Sequence, residues 1–224
     1  MAVEHVYRNG GGITTSEATV ALTYQRTTII SDEVSQWVKE GRVFQGFEGV
    51  LTTPVAGAAT DLVRQQPNLM VRVPAGVVIV PLLAIWTPEA TTAVAQMLVS
   101  VCNNDPGVAN ATAITPVNVN TRVALSKNSS CTCYGTNVGN SGTAPTGVAD
   151  LYREYHQADR DAITGAPTPP LIYNPRIGHG QEAVIGNNTT VNAWLVYGLA
   201  GTTGTNTGFF IITWAEFTYD EYYS

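Results

Sequence analysis

From residue 42 onward, hydrophobic and polar positions follow the short alternating pattern of β-strands. Leu69, Val71 and Val73 alternate with other residues, and side chains two positions apart share one face of a strand. Residues 77–86 form a continuous apolar run rich in β-branched residues, which is typical of a strand buried on both faces. Residues 93–102 fit either a strand or a helix, and we favour a strand.

Weaker patterns predict more strands and one further helix. The apolar stripe of Leu151 and Tyr155 predicts an amphipathic helix over residues 150–163, although the alternation over 151–155 also fits a strand. The stretch 103–147 is dominated by Asn, Thr, Ser and Gly, and this composition predicts a long surface loop region. Further strands are predicted at residues 43–53, 114–119, 122–125, 171–173 and 182–185.

Two strongly apolar strands are predicted near the end of the sequence. Residues 191–199 and 209–219 are β-rich and are separated by a flexible stretch of Gly and Thr, so we predict a final antiparallel hairpin. In the second strand, Phe210, Ile212 and Trp214 share one face, and the opposite face is apolar as well.

Apolar residues on both faces of these strands carry a prediction of their own. A strand of a simple sandwich is apolar on one face only. The second face must therefore be covered by the N-terminal arm, by a loop or by a neighbouring subunit. Because one self-complementary patch serves every copy in a symmetric oligomer, such an oligomer is the most economical cover.

The first 42 residues are predicted to form an N-terminal arm with a short helix, and residues 43–224 to form the β-sandwich domain. Ser31 is suited to cap the helix, acidic residues follow in its first turn, and Gly41 ends it. Because a helix of this length is unstable alone, we expect Trp37 to dock on another part of the protein.

Composition narrows the function classes. The chain has 224 residues, enough for one well-buried core. Charged residues make up only 12%, against about a quarter in an average protein, so the surface relies on uncharged polar groups. Such a surface suits a protein that packs against other subunits.

Charge distribution argues against nucleic acid and membranes as partners. The net charge is −6, and Lys39 and Lys127 are the only lysines. Phosphate backbones require clustered cations, and cationic membrane surfaces require the same. No apolar run approaches the roughly 18 residues of a transmembrane helix, and the N-terminus lacks the pattern of a secretory signal.

The residues that usually carry catalysis or bind metals are sparse and scattered. An odd number of cysteines, Cys102, Cys131 and Cys133, is typical of free thiols rather than of a disulfide framework. The three histidines lack the spacing of metal ligands. His179 and Glu182 lie among glycines, which favours a turn over a site. We therefore expect no catalytic residue, no metal, no cofactor and no enzymatic activity.

The acidic and aromatic segment 219–224 fits either a frayed end or a docking segment for a neighbouring subunit, since tyrosine is favoured at interfaces. Large apolar and aromatic side chains here and on the two-faced strands are the candidates for subunit contact. The predicted interface residues are Trp37, Trp194, Phe210, Ile212, Trp214, Tyr219 and Tyr222.

Three stretches carry a resemblance to a known family. They are the run 73–82, the Cys131-Thr-Cys133 region in its Thr- and Asn-rich loop, and the ending 208–217. In these the chain resembles the single jelly-roll virion proteins of tailed bacteriophages, which include capsid cement (decoration) proteins.

The resemblance implies an all-β fold, an antiparallel jelly-roll β-sandwich with an N-terminal arm and one or two short helices. It further implies a homotrimer, made in the host cytoplasm, that sits on the capsid surface of the virion. There it would clamp neighbouring copies of the major capsid protein.

Three other roles stay open: a capsid subunit, a recognition module and an enzyme. A capsid subunit proper usually carries a basic arm, and residues 1–30 hold only Arg8 and Arg26. A carbohydrate- or host-recognition module would expose aromatic residues in the loops, and the 103–147 region holds only Tyr134. A polysaccharide-degrading enzyme would require acidic residues brought together from distant segments.

Overall fold

The computed structural model describes most of the chain, with side chains described from residue 33 onward. The strands that it describes are antiparallel and form two main sheets packed face to face, which confirms an all-β sandwich. The described residues are 3–9, 12–18, 25–30, 33–50, 52–57, 62–90, 95–107, 111–122, 127–135, 143–156, 169–200 and 206–224.

The first main sheet has seven strands. Its central strands are β4, β16 and β7, and each of these is paired along both edges. The strands are, in spatial order, β10 (Val117–Asn118), β4 (Val43–Glu48), β16 (Thr207–Thr218), β7 (Val77–Ala90) and β13 (Leu171–Tyr173), with β5 (Val55–Ala56) pairing to β16 and β14 (Ile185–Asn187) pairing to β7.

The second main sheet has six strands. Its longest ladder joins β15 to β8 over eight residue pairs. In spatial order the strands are β12 (Ala149–His156), β8 (Ala95–Cys102), β15 (Asn192–Ala200), β6 (Leu69–Val73), β11 (Thr132–Gly135) and β9 (Thr112–Ile114).

Three more strands and two short α-helices complete the described elements. The predicted arm carries a three-stranded antiparallel sheet of β1 (Val3–Asn9), β2 (Gly12–Ala18) and β3 (Gln25–Ile30), which the sequence pattern did not predict. Helix α1 (Glu33–Lys39) confirms the predicted helix, although its proposed cap, Ser31, lies outside the described residues. Helix α2 spans Tyr219–Tyr223.

The main core lies between the two sheets and is built around large aromatic side chains. Trp86 and Phe210 stack with ring centroids 5.6 Å apart, and Phe44 packs against Trp214. Trp194 contributes from the facing sheet and is fully buried. Since burying one large apolar side chain stabilises a fold by roughly 1.5–3 kcal/mol, this cluster dominates the packing.

The predicted C-terminal hairpin is wrong. Strand β15 pairs with β6 and β8, whereas β16 pairs with β4 and β7 in the other sheet. The chain therefore crosses between sheets after β15. The turn signal predicted a break between two strands, but it carried no information about which strands become neighbours.

Other predictions differ in type or in bounds. The helix predicted over 150–163 is wrong, because residues 149–156 form β12, and the alternative strand reading is confirmed; residues 157–163 lie outside the described residues. Strand β4 ends at Glu48, since Gly49 turns the backbone with a φ of 76°. The strand expected at 182–185 instead spans Ile185–Asn187. Residues 123–125 lie outside the described residues.

Segments of the same chain cover much of the second face of both sheets. On the six-stranded sheet, Leu195 and Tyr197 are buried with Leu62 packed beside them. On the seven-stranded sheet, helix α1 lies over Leu82 and Ala215. The arm and a loop, two of the three predicted covers, are therefore both used.

Candidate binding surfaces

Four of the predicted interface residues need correction. Trp194, Phe210, Ile212 and Trp214 lie between the two sheets and are almost completely buried. Their side chains face the opposite sheet, so a partner has no access to them. The alternation correctly grouped apolar side chains on shared strand faces. Which of the two faces meets the core depends on how the strands pair, and the alternation does not encode that pairing.

The other three predicted residues belong to a surface aromatic cluster. Trp37 packs edge-on against Phe217 with centroids 5.1 Å apart, which confirms the expected docking of α1. Tyr222 also packs against Phe217, with ring centroids 5.4 Å apart, and Tyr219 contacts Tyr223. All three predicted residues lie near the surface, and their role as contacts for a partner stays a prediction.

The C-terminal segment is a helix that is held in place, so the frayed-end alternative is wrong. Thr218 caps α2 and Glu221 completes a capping box. The Arg42 guanidinium donates to both carboxylate oxygens of Glu221, at 3.0 and 3.3 Å. This bidentate pair is the largest cause that lowers the pKa of Glu221 to about 2.

The outer side of the seven-stranded sheet is open and apolar beyond helix α1. Four large hydrophobic side chains, here called the outer apolar face, are Phe47, Val117, Val119 and Ile177, with exposed fractions of 47, 55, 40 and 67%. Phe47 and Val117 come from β4 and β10, and Ile177 from the 3₁₀ turn Pro175–Ile177 that follows β13. Exposed apolar patches of this kind mark contact sites.

A groove of about 370 Å³ runs along this face beside helix α1. Val34 and Val38 of α1 form one wall, and Leu82 and Leu83 lie side by side on the floor, where a β-bulge sets two residues of β7 against β16. Among the described residues that line the groove, Arg176 alone is charged. Depletion of charge is typical of the interior of a protein interface.

On the six-stranded sheet, the segment around residue 64 packs over β15 and β8. The backbone oxygen of Arg64 accepts a hydrogen bond of 2.8 Å from the buried Tyr197 hydroxyl. The Arg64 guanidinium donates to both oxygens of Asp150, at 2.7 and 2.9 Å, and Ser100 donates to the same carboxylate. These bonds hold the segment around residue 64 over the sheet.

A second concave feature lies between α1, α2 and the turn after β13. This Trp37–Tyr222 cavity has a volume of about 210 Å³ and is lined by those two rings together with Glu33, Arg176 and Glu182. Arg176 lies over the Trp37 ring at 5.2 Å and pairs with Glu33 at 3.2 Å.

One buried carboxylate was missed by the sequence reasoning. Glu216, at the polar end of the inner face of β16, accepts hydrogen bonds from Trp214 Nε1 and the Ser130 backbone N–H, both at 2.8 Å, and from the Ser129 hydroxyl. A Trp two residues before a Glu in an apolar strand was the available signal, because both side chains then share one face. Three donors on one carboxylate are typical of a structural anchor.

The cysteines are buried, and His179 lies in a turn. The thiols of Cys102, Cys131 and Cys133 are free and buried, and burial raises the pKa of each, that of Cys133 to about 12. Since the thiolate is the nucleophile, a raised pKa disfavours the reactive form of each thiol at neutral pH. His179 lies in a turn closed by a backbone bridge to Asn174, as the sequence favoured.

The part of the chain that the structure describes contains no group of three or more His, Cys, Asp or Glu residues placed to hold a metal ion. Within the same ranges, no helix is long and apolar enough to cross a membrane. The chain matches no family model, and searches of curated proteins and of solved structures found no match either.

Proposed function

We propose that the chain is a structural virion protein of a tailed bacteriophage, a capsid cement protein that binds and stabilises the head lattice. Its partners are the major capsid protein and further copies of itself, and its location is the capsid surface. The segment before residue 43 serves as the arm. The observation that carries the proposal is the outer apolar face, an exposed surface suited to contact with another subunit.

The order of the strands supports a jelly-roll winding. The eight principal strands, counted along the chain, are β4, β6, β7, β8, β12, β13, β15 and β16. In space they follow the orders 1-8-3-6 in one sheet and 5-4-7-2 in the other. Two packed sheets with such crossovers are the arrangement of an eight-stranded jelly roll, a fold that capsid proteins share with lectins and cupins.

Because the fold occurs with several functions, the choice between them rests on surfaces. Lectins and cupins act through polar or metal-binding sites in loops and barrels, whereas the groove on the seven-stranded sheet lies on an apolar face almost without charge. A protein with 12% charged residues and such a face is suited to permanent packing against other subunits. A homotrimer would form if the outer apolar face of each copy contacted a different surface of the next copy around a threefold axis.

The test is co-sedimentation with heads assembled from the major capsid protein of the same virion. We expect the wild-type chain to sediment with the heads. Ile177→Asp should weaken attachment at least about tenfold, because a charge on the outer apolar face separates the copies and removes the gain from multivalent binding. Tyr155→Asp is the matched control, since Tyr155 is 66% exposed but lies on the other sheet.

Retention of wild-type affinity by Ile177→Asp would remove the outer apolar face from the mechanism. Failure of the wild-type chain to sediment with the heads would rule out the cement role itself.

A further inference from the structure

We propose that the Trp37–Tyr222 cavity binds a basic side chain, lysine or arginine, of a partner protein. Its lining combines two aromatic rings with two carboxylates, Glu33 and Glu182. An ammonium or guanidinium group gains attraction from both kinds of wall, by cation–π contact with the rings and by ion pairing with the carboxylates. The inference does not depend on the proposed capsid role.

The charges around the cavity leave one negative group without compensation. Arg176 already neutralises Glu33 at 3.2 Å. Glu182 is exposed and forms no ion pair with any residue in the described part of the chain. An incoming cation would therefore restore the charge balance of the cavity.

The field of these carboxylates reaches into the cavity. Burial is the largest cause that raises the pKa of the Tyr222 hydroxyl, and Tyr223 and the carboxylates of Glu33 and Glu182 add to it. Repulsion that disfavours a phenolate at this position equally favours a bound cation.

The cavity already holds one example of the recognition proposed. Arg176 stacks on Trp37 at 5.2 Å while pairing with a carboxylate, so the ring and the acids act together on a guanidinium from the chain itself. Tyr222 and Glu182 also line the cavity, and together they offer a second cation the same combination of a ring and a carboxylate.

Size and net charge identify the occupant as a single side chain of a protein. The volume of about 210 Å³ is below the roughly 300–1,000 Å³ of sites for whole small molecules. The net charge of −6 attracts a positively charged partner surface and repels an acidic one. A lysine or arginine side chain that projects from such a surface is small enough for the cavity and has the required positive charge.

The experiment is an NMR titration that observes the indole N–H of Trp37. The other three tryptophans are fully buried, so a ligand in solution contacts Trp37 alone, and Trp37→Phe assigns its signal. The probes are N-acetyl-arginine amide and N-acetyl-lysine amide, with the neutral isostere N-acetyl-citrulline amide as the control. We expect saturable shifts of Trp37 with the two cations at millimolar concentrations and none with citrulline.

Glu182→Gln is the decisive variant, because it removes the uncompensated charge from an exposed position. We expect it to weaken binding of both cations by about fivefold, the effect of one partly exposed charge pair. Glu89→Gln, an exposed acid near the far end of β7, should leave binding unchanged. Equal shifts with citrulline, no shift with either cation, or unchanged affinity in Glu182→Gln would each overturn the proposal.

Discussion

At the scale of single residues, Glu216 shows how a charged group is kept inside an apolar sandwich. Its carboxylate is buried near the thiol of Cys131 and receives three hydrogen bonds, one of them from the indole of Trp214. A buried charge is tolerated only when its hydrogen bonds are satisfied. The residue ties the C-terminal end of strand β16 to the loop at 129–130, which precedes β11 of the other sheet, and so joins the two sheets.

Replacing this carboxylate gives a direct prediction. Glu216→Ala removes the acceptor from three donors, two of which cannot turn away, and should lower the free energy of unfolding by about 3 kcal/mol. Urea denaturation followed by tryptophan fluorescence measures it. Glu89→Ala, at an exposed position, should change stability by less than about 0.5 kcal/mol. A loss below about 1 kcal/mol in Glu216→Ala would contradict an anchoring role.

The surroundings of a single residue were predictable from the sequence only as far as they depend on the local pattern. The alternation of Phe210, Ile212 and Trp214 correctly grouped three side chains on one face. Whether that face meets the core or a partner depends on the position of the facing sheet, to which Trp194 belongs. Glu216 was missed for the same reason, because its donors at 129 and 130 are distant in sequence.

At the scale of elements, strand existence was largely predictable and strand partnership was not. Runs such as Leu69–Val73 and Ala95–Cys102 were expected close to their observed positions. The pairing of β16 with β4 joins residues more than 150 positions apart, and no local signal encodes such a partner. The turn residues after β15 therefore favoured a hairpin. In the structure, β15 and β16 lie in opposite sheets, and their aromatic residues are buried in one core between them.

Helix α2 is the element whose stability should depend most clearly on acid pH. Arg42 depresses the pKa of Glu221 to about 2 from an ordinary value of 4.5. A depressed carboxyl pKa contributes stability above the unfolded value, and that contribution is lost as the pH falls from about 4.5 towards 2. The difference in Tm between the wild type and Glu221→Gln should be constant above about pH 5 and shrink below it.

Thermal unfolding at a series of pH values, recorded by circular dichroism for both proteins, measures this difference. High salt should reduce it, because the pair is partly exposed and therefore screened. Because the Arg42–Glu221 pair is partly exposed, we expect the Tm difference to be modest. A Tm difference that stays constant down to pH 2 would show that the Arg42–Glu221 pair does not hold the helix.

At the scale of the whole molecule, the question is what remains uncovered once the chain has folded. Helix α1 and the segment around Arg64 cover parts of the two sheets from within. The outer apolar face is left, with Ile177 and Val119 beside a groove nearly free of charge. The sequence indicated that a cover was needed, but only the fold separates the area covered by the chain itself from the area open to a partner.

The solution mass tests whether copies of the chain supply that missing cover. Because the outer apolar face is exposed and self-association removes it from water, we expect light scattering after size-exclusion chromatography to give the mass of three chains. Ile177→Asp should shift the mass to that of one chain, whereas Tyr155→Asp should keep three. A single-chain mass for the wild type would mean that the outer apolar face binds a different protein. Shell-sized particles would identify the chain as a capsid subunit.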